Sequence, residues 1–303
     1  MFKRLLTFAL IVAAIAGSQP AFARDENGRL QVGITLHPYY SFAVNIVGDR
    51  ADVVPLIDAE ANPHGYQPQP DDMVRTQSLD VLIVNGIGHD EWAEEIVAAA
   101  GRADDLPIIQ ANASVALIPI GGSTTGERVV NPHTFVSTNA AIQQVYEIAR
   151  RLGEIDPPNA DFYVTNARAY ATRIRQLRAE FMQTFADLDL SGFKAATAHA
   201  GYDYLFQELG LQVAAVIEPR HGVDPTARQL ADTVEQIRAA NVTVLFAELY
   251  FTGNLAETIS EETGVAVYSL SHITGGPYTA DKFEVEMRQN LETVAQAIRE
   301  TQD

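Results

Sequence analysis

Apolar and polar positions alternate in two kinds of run along most of this chain. Short apolar blocks at Leu30–Leu36, Asp52–Ile57, Val81–Asn85 and Pro107–Ile109 read as buried strands. Between and after them, helical spacing marks Ser41–Val47, Asp71–Gln77, Glu91–Ala100 and Ala140–Leu152. The pattern then repeats. Strands are expected at Ala195–Ala198, Gln212–Ile217, Val242–Ala247 and Val265–Leu270, and helices at Tyr202–Leu209, Thr226–Ala239, Leu255–Thr263 and Lys282–Arg299. Strands alternating with helices predict an α/β fold of parallel sheets covered on both faces.

One element separates the two sets. From Asn159 to Leu188 there is no Gly or Pro. Tyr163, Ala167, Tyr170, Ile174, Leu177, Phe181, Phe185 and Leu188 recur every three or four residues. That spacing predicts one continuous helix with an apolar stripe, bounded by Pro157-Pro158 and Ser191-Gly192. A stripe this long suits either a coiled-coil dimer or a backbone helix packed along two lobes, and its place between two α/β halves favours the second. The expected division is an N-terminal lobe over 24–158, a linking helix over 159–189 and a C-terminal lobe over 190–303.

The first 23 residues do not fit this pattern. Lys3 and Arg4 precede an apolar stretch, Leu5–Ala16, too short to span a bilayer comfortably, and Ala21-Phe22-Ala23 is an A-x-A cleavage site. Residues 1–23 are therefore expected to be a cleavable signal peptide that directs the chain to a periplasm, and no later apolar run is long enough to span a membrane. The chain contains no cysteine, so no lipid-modified cysteine anchor is expected.

Composition then narrows the chemistry. The 303 residues include 39 acidic and 21 basic side chains, a net charge of −18 that becomes −20 without Lys3 and Arg4. Nucleic acid is a poor partner for such a surface, because its binding rests on cationic contacts to phosphate. The absence of cysteine removes disulfides, thiolate metal sites and cysteine nucleophiles. Any metal must be held by His, Asp, Glu or backbone oxygen.

Three of the seven histidines sit in similar settings. His64 lies in Asn62-Pro63-His64-Gly65 after the second strand. His133 lies in Asn131-Pro132-His133-Thr134. His199 lies in Ala198-His199-Ala200-Gly201, where a strand gives way to a helix. Open α/β sheets bind ligands beyond the carboxyl ends of their strands. Two of these histidines come from the first half and one from the second, as a metal held between two lobes requires. Singly, a loop histidine is more often a capping or hydrogen-bonding group than a ligand. Accordingly His89 reads as a cap for the helix carrying Trp92, His37 as a support behind the site, and His221 and His272 as loop residues near the cleft. No G-x-S-x-G, H-E-x-x-H, G-x-x-x-x-G-K-[ST] or complete G-x-G-x-x-G is present.

Several segments, taken in order, resemble the metal-binding solute-binding proteins of ABC importers of the ZnuA/TroA type (cluster A-I). They are Asn62–Asp72 (NPHGYQPQPDD), Asp80–Trp92 (DVLIVNGIGHDEW), Asn131-Pro132-His133, His199 with Tyr202–Phe206 and Leu209-Gly210-Leu211, Phe246-Ala247-Glu248, and Glu262-Thr263-Gly264-Val265. The resemblance implies two Rossmann-like lobes joined by one long backbone helix, with a metal cleft between them. It carries over His64, His133 and His199 as ligands. Two departures stand out. The Gly121–Val130 loop has no histidine, so extra weak zinc sites there are not expected. Ser271 aligns where many members place a ligating Asp, which makes Asp224 the expected fourth donor, with Glu248 second and water third. A displaced ligand beside a short loop is similar to the AztC zinc branch, where a separate periplasmic metallochaperone can deliver the ion.

The expected function is high-affinity capture of Zn²⁺ by a monomer that is not an enzyme, and its delivery to an inner-membrane ABC permease with a cytoplasmic ATPase. Three imidazoles favour zinc over manganese, which prefers oxygen donors. The alternatives are a manganese-binding member of the same family, a periplasmic zinc-dependent hydrolase using the same histidines, and a binding protein for an organic solute.

Overall fold

The computed structural model describes residues 28–119, 129–218, 225–249 and 255–301. The expected signal peptide, most of the loop over 121–130, and the loop bearing His221 and Asp224 lie outside the described residues.

The first lobe contains β1 (Leu30–Ile34), α1 (His37–Val47), β2 (Ala51–Pro55), α2 (Pro70–Gln77), β3 (Val81–Val84), α3 (Trp92–Ala99), β4 (Ile108–Gln110) and α4 (Thr138–Ile155). Its sheet runs β2-β1-β3-β4 and every pairing is parallel. After α5 (Ala160–Ala186) the second lobe follows with β5 (Ala195–Thr197), α6 (Asp203–Leu209), β6 (Val213–Val216), α7 (Ala227–Ala240), β7 (Val244–Glu248), α8 (Leu255–Thr263), β8 (Ala266–Leu270) and α9 (Lys282–Glu300). Its order, β6-β5-β7-β8, again all parallel, repeats the first lobe's topology. Val32, Val81 and Ile83 are buried at the centre of one sheet, and Val244, Leu245 and Phe246 at the centre of the other. Continuous apolar strands of this kind need helices on both faces.

The long helix forms where the spacing places it. Pro157–Asn159 turns as a 3-10 segment, and α5 then runs for 27 residues, about 40 Å at 1.5 Å per residue. Its stripe is spent within the chain: Tyr163, Ala167, Tyr170, Ile174, Leu177, Phe181 and Phe185 are all buried. They belong to one hydrophobic cluster that also holds Phe42 and Val81 of the first lobe and Phe246 and Leu291 of the second. Nothing on that stripe is left for a coiled-coil partner. Arg173–Glu284 and Arg288–Glu180 add ion pairs between α5 and α9.

A seam of polar contacts also joins the lobes. Ser41 Oγ donates to Thr279 O at 2.9 Å, Asn45 Nδ2 to Ala280 O at 2.7 Å and Tyr278 OH to Ile57 O at 3.1 Å. His37 Nε2 lies 2.8 Å from Gly276 O and 3.1 Å from Ala59 O, and its ring stacks on Tyr278 at 4.0 Å. The helix expected from Ser41 starts earlier, at His37, because Pro38 falls in its first turn, where a missing N–H costs nothing. His37 thus lies at the seam between the lobes. Burial, then the nearby Lys282 charge, push its pKa down to about 4, so it stays neutral.

Candidate metal centre

The site is made by loops that leave the carboxyl ends of strands in both lobes. His64 follows β2, His133 follows β4, His199 follows β5 and His272 follows β8. One ligand atom from each of these four histidines lies within 4.8 Å of the others. His133, His199 and His272 are buried; His64 is partly open.

Local chemistry holds the segments that carry these rings. Asn62 Oδ1 accepts the His64 N–H at 2.9 Å, closing a turn, and the buried Trp92 indole donates to Pro63 O at 3.0 Å. Trp92 of the first lobe therefore pins the loop that carries His64. Asn131 makes the equivalent turn for His133, accepting its backbone N–H at 3.0 Å. Asn131 Nδ2 donates to Ala200 O at 2.7 Å and to Asp203 Oδ2 at 3.0 Å. That orientation leaves Asn131 Oδ1 as the acceptor 2.7 Å from His133 Nδ1. The proton accordingly sits on Nδ1, and Nε2 carries the lone pair, the tautomer that a metal ligand needs.

His199 and His272 share a carboxylate neighbour, and Thr274 Oγ1 lies 3.2 Å from His272 Nδ1. Glu248, at the end of β7, places one oxygen 3.6 Å from His199 Nδ1 and the other 3.6 Å from His272 Nδ1. The Nε2 atoms face Gly201, where an added Cβ would lie 2.3 Å from His199 Nε2 and 2.8 Å from His272 Nε2. Burial, and after it the Glu218 charge, raises the Glu248 carboxyl to about 8. Burial holds His272 neutral far below the usual imidazole range, and the neighbouring imidazoles act the same way.

The spacing can be compared with a coordination sphere. An imidazole nitrogen about 2.1 Å from a first-row ion puts its ring centroid about 3.2 Å away, so tetrahedral neighbours have centroids about 5.2 Å apart and right-angle neighbours about 4.5 Å apart. The six centroid separations among His64, His133, His199 and His272 run from 4.7 to 5.8 Å and bracket the tetrahedral value. The residues fit a four-coordinate metal with nitrogen donors.

Sequence reasoning brought three of these four together and missed the fourth. Ser271, aligned at the ligand position, turns its hydroxyl to Glu286, while its backbone is clamped by Asn290 through two 2.7 Å bonds. The next residue, His272, turns into the cluster. The offset from Ser271 is a single residue, and His272, two residues past the end of β8, carried the available signal of a strand's carboxyl end. Asp224 lies outside the described residues. Glu248 stands behind two ring nitrogens, beside His199 Nδ1 and His272 Nδ1.

His89 corrects the capping expectation. The N-cap of α3 is Glu91, and its side chain makes no cap bond. His89 instead adopts a left-handed backbone, φ 81°, and is buried. A conformation of that kind costs a non-glycine residue on the order of 1–3 kcal/mol, so the surroundings must hold it. They do so through Asn85, whose Nδ2 donates to Gly88 O at 2.7 Å and to Pro132 O at 2.9 Å. Asp90 secures the same turn by accepting from Asn85 N at 2.6 Å and Thr35 Oγ1 at 2.7 Å. The His89 ring ends 3.7 Å from that of His64.

Proteins of known structure share this fold. The structure of FpvC from Pseudomonas aeruginosa with Ni²⁺ is 50% identical, superposes with a TM-score of 0.84, and the match covers 90% of this chain and 98% of that one. The same protein with Mn²⁺ matches equally well, at 50% identity and a TM-score of 0.84 over 90% of this chain and 99% of that one. The manganese ABC transporter substrate-binding lipoprotein PsaA of Streptococcus pneumoniae is 24% identical over 300 residues, 97% of this chain and 96% of its own. The high-affinity zinc uptake system protein ZnuA of Bacillus subtilis is 26% identical over 278 residues, 88% of this chain and 86% of its own. The family profile described as zinc-uptake complex component A, periplasmic, matches residues 32–297, and the chain belongs to that family.

Proposed function

We propose that this chain captures a divalent first-row transition ion, with Zn²⁺ as its cargo, and passes it to an ABC importer made of a membrane permease and a cytoplasmic ATPase. The observation that carries the reading is the convergence of His64, His133, His199 and His272 at tetrahedral spacing. Imidazole suits zinc and nickel, and manganese prefers carboxylate and carbonyl oxygen. Membership of a family whose named relatives include zinc and manganese transporter components supports the importer role. The −18 charge attracts cations to the site's neighbourhood.

In this reading the lobes are residues 24–158 and 190–303, joined by the helix over 159–189. Residues 1–23 are removed on export to the periplasm, and the chain works as a monomer. A separate periplasmic metallochaperone, as in systems of the AztC branch, is a candidate donor of the ion. His272 supplies the fourth nitrogen, and Asp224 is a further donor to be tested beside it. Four imidazoles fill a tetrahedron, and Glu248 lies against the Nδ1 atoms of His199 and His272, behind the Nε2 atoms facing Gly201. That arrangement favours holding an ion over activating a water, and speaks against the hydrolase alternative.

The test is titration of chelator-stripped protein with Zn²⁺, Ni²⁺ and Mn²⁺. One ion per chain is expected, with zinc and nickel held at least about a hundredfold more tightly than manganese, as nitrogen donors dictate. Manganese bound as tightly as zinc would move the cargo to manganese, and parental zinc affinity in His199→Ala would remove the site. His272→Ala should weaken zinc binding more than Asp224→Ala; the reverse order would restore Asp224 as the fourth ligand.

A further inference from the structure

The proposed tetrahedral set leaves one buried imidazole at the site unexplained. His89 lies 5.2 Å from His133 and 5.4 Å from His272, ring to ring, the same separations that members of the set keep among themselves. From His64 it is only 3.7 Å, tilted by 43°. Two imidazoles on one ion cannot come that close, since even right-angle neighbours stand about 4.5 Å apart. His89 and His64 are therefore spaced as two claimants to one coordination position, each compatible with His133 and His272.

Their mountings differ. His64 is the least buried of the four histidines and rides on the loop between β2 and α2. His89 is buried, and its turn is tied by Asn85 to the Pro132 carbonyl beside His133. One donor sits on a loop at the edge of the site, and the other on the same frame as a permanent ligand.

From this juxtaposition we infer that His89 is an alternate metal donor that exchanges with His64. The inference rests on the cargo reading above. In the exchange the His89 nitrogen lone pair forms a bond to the ion as the His64 nitrogen bond breaks. The exchange swaps one nitrogen–metal bond for another and transfers no proton or electron. The ion keeps its coordination number while the partly exposed His64 ring turns away on the loop that Trp92 holds, so capture and release need not pass through a three-coordinate ion. His89 then acts on the rates of exchange and not on the affinity of the closed site.

The experiment uses the full chain with Zn²⁺ and Co²⁺ as probes. His89→Gly suits the left-handed backbone and leaves the turn unstrained. It should keep its zinc affinity within about twofold while binding and release to a chelator both slow by about tenfold, the low end of what groups around a metal contribute. Unchanged rates, or a loss of affinity, would overturn the inference, the second because it makes His89 a constant ligand. In His64→Ala the ion should stay four-coordinate through His89, with the intense visible bands of tetrahedral Co²⁺ and a loss of about tenfold to a hundredfold in affinity. The double variant should fall at least about tenfold below the product of the single losses, as groups sharing one partner do. A double variant no weaker than His64→Ala refutes the exchange. His199→Ala is the control: its collapse with no effect of His89→Gly defeats this inference alone, and its intact binding defeats the cargo reading.

Discussion

Gly201 has no side chain, and the geometry says what one would do. In Gly201→Ala the new Cβ would stand 2.3 Å from His199 Nε2 and 2.8 Å from His272 Nε2. Relief to an ordinary 3.4 Å contact requires the two rings to retreat by about 1.1 and 0.6 Å. Metal–ligand distances tolerate only about 0.2 Å, and neither ring has open space behind it, because Glu248 lies there. Gly201 is not in the left-handed region, so the substitution strains no backbone and isolates the clash. Sharing a binding free energy of about 12 kcal/mol over four donors makes each worth about 3 kcal/mol, or about a hundredfold in affinity. Losing one donor thus costs about a hundredfold, and losing both about ten-thousandfold. Zinc competition against a chromophoric chelator reads that range. Unfolding of the stripped variant measures the overpacking cost separately, at about 1–3 kcal/mol. Parental zinc affinity in Gly201→Ala would refute the placement of both Nε2 atoms toward the ion.

Three further outcomes follow from the same contacts. Asn131→Ala removes the acceptor that fixes the His133 tautomer and the links to Ala200 and Asp203, and should weaken zinc binding by about tenfold to a hundredfold in the same competition assay. Trp92→Phe loses the bond to Pro63 O, so stability should fall by about 1 kcal/mol in urea, and protease cutting in the loop around His64 should rise. His37 has a folded pKa of about 4 against 6.5 unfolded, so its stability contribution is complete above pH 6.5. Between pH 6.5 and 4 the unfolded chain takes up the proton first, and about 3 kcal/mol is lost. Urea unfolding of His37→Gln should show a correspondingly shallower pH slope, and an unchanged slope would count against the assignment.

What the sequence disclosed, and what it withheld, follows the reach of each signal. The stripe from Tyr163 to Phe185 is local periodicity, and it appears intact as α5. Val81–Val84 and Val244–Ala247 are short apolar runs of strand length, and they occupy sheet interiors. His64, His133 and His199 are readable because Asn-Pro-His turns and a strand end advertise them. His272 depends on which of two adjacent residues faces inward after β8, and that is decided by Asn290 and Glu286 on α9, remote from it in sequence. His89 depends on a left-handed residue imposed by Asn85 and Asp90, which no pattern of apolar spacing records. The seam of Ser41, Asn45 and Tyr278 is likewise invisible until two distant segments meet.

The helix that threads both lobes has a consequence for the life of the molecule. Tyr170, Ile174 and Leu177 lie in one apolar cluster with Val81 of one sheet and Phe246 of the other, so neither lobe keeps that core if the other is lost. Loss of either lobe therefore weakens the other, and an ion held by loops from both lobes stabilises the two together. An ion present at a thousand times its dissociation constant adds about 4 kcal/mol, which cuts the unfolded population by about a thousandfold. Proteases that cut the unfolded chain track that population. The loaded protein is therefore the durable form, the empty one is the form first cleared, and the amount of carrier present is coupled to the supply of its metal.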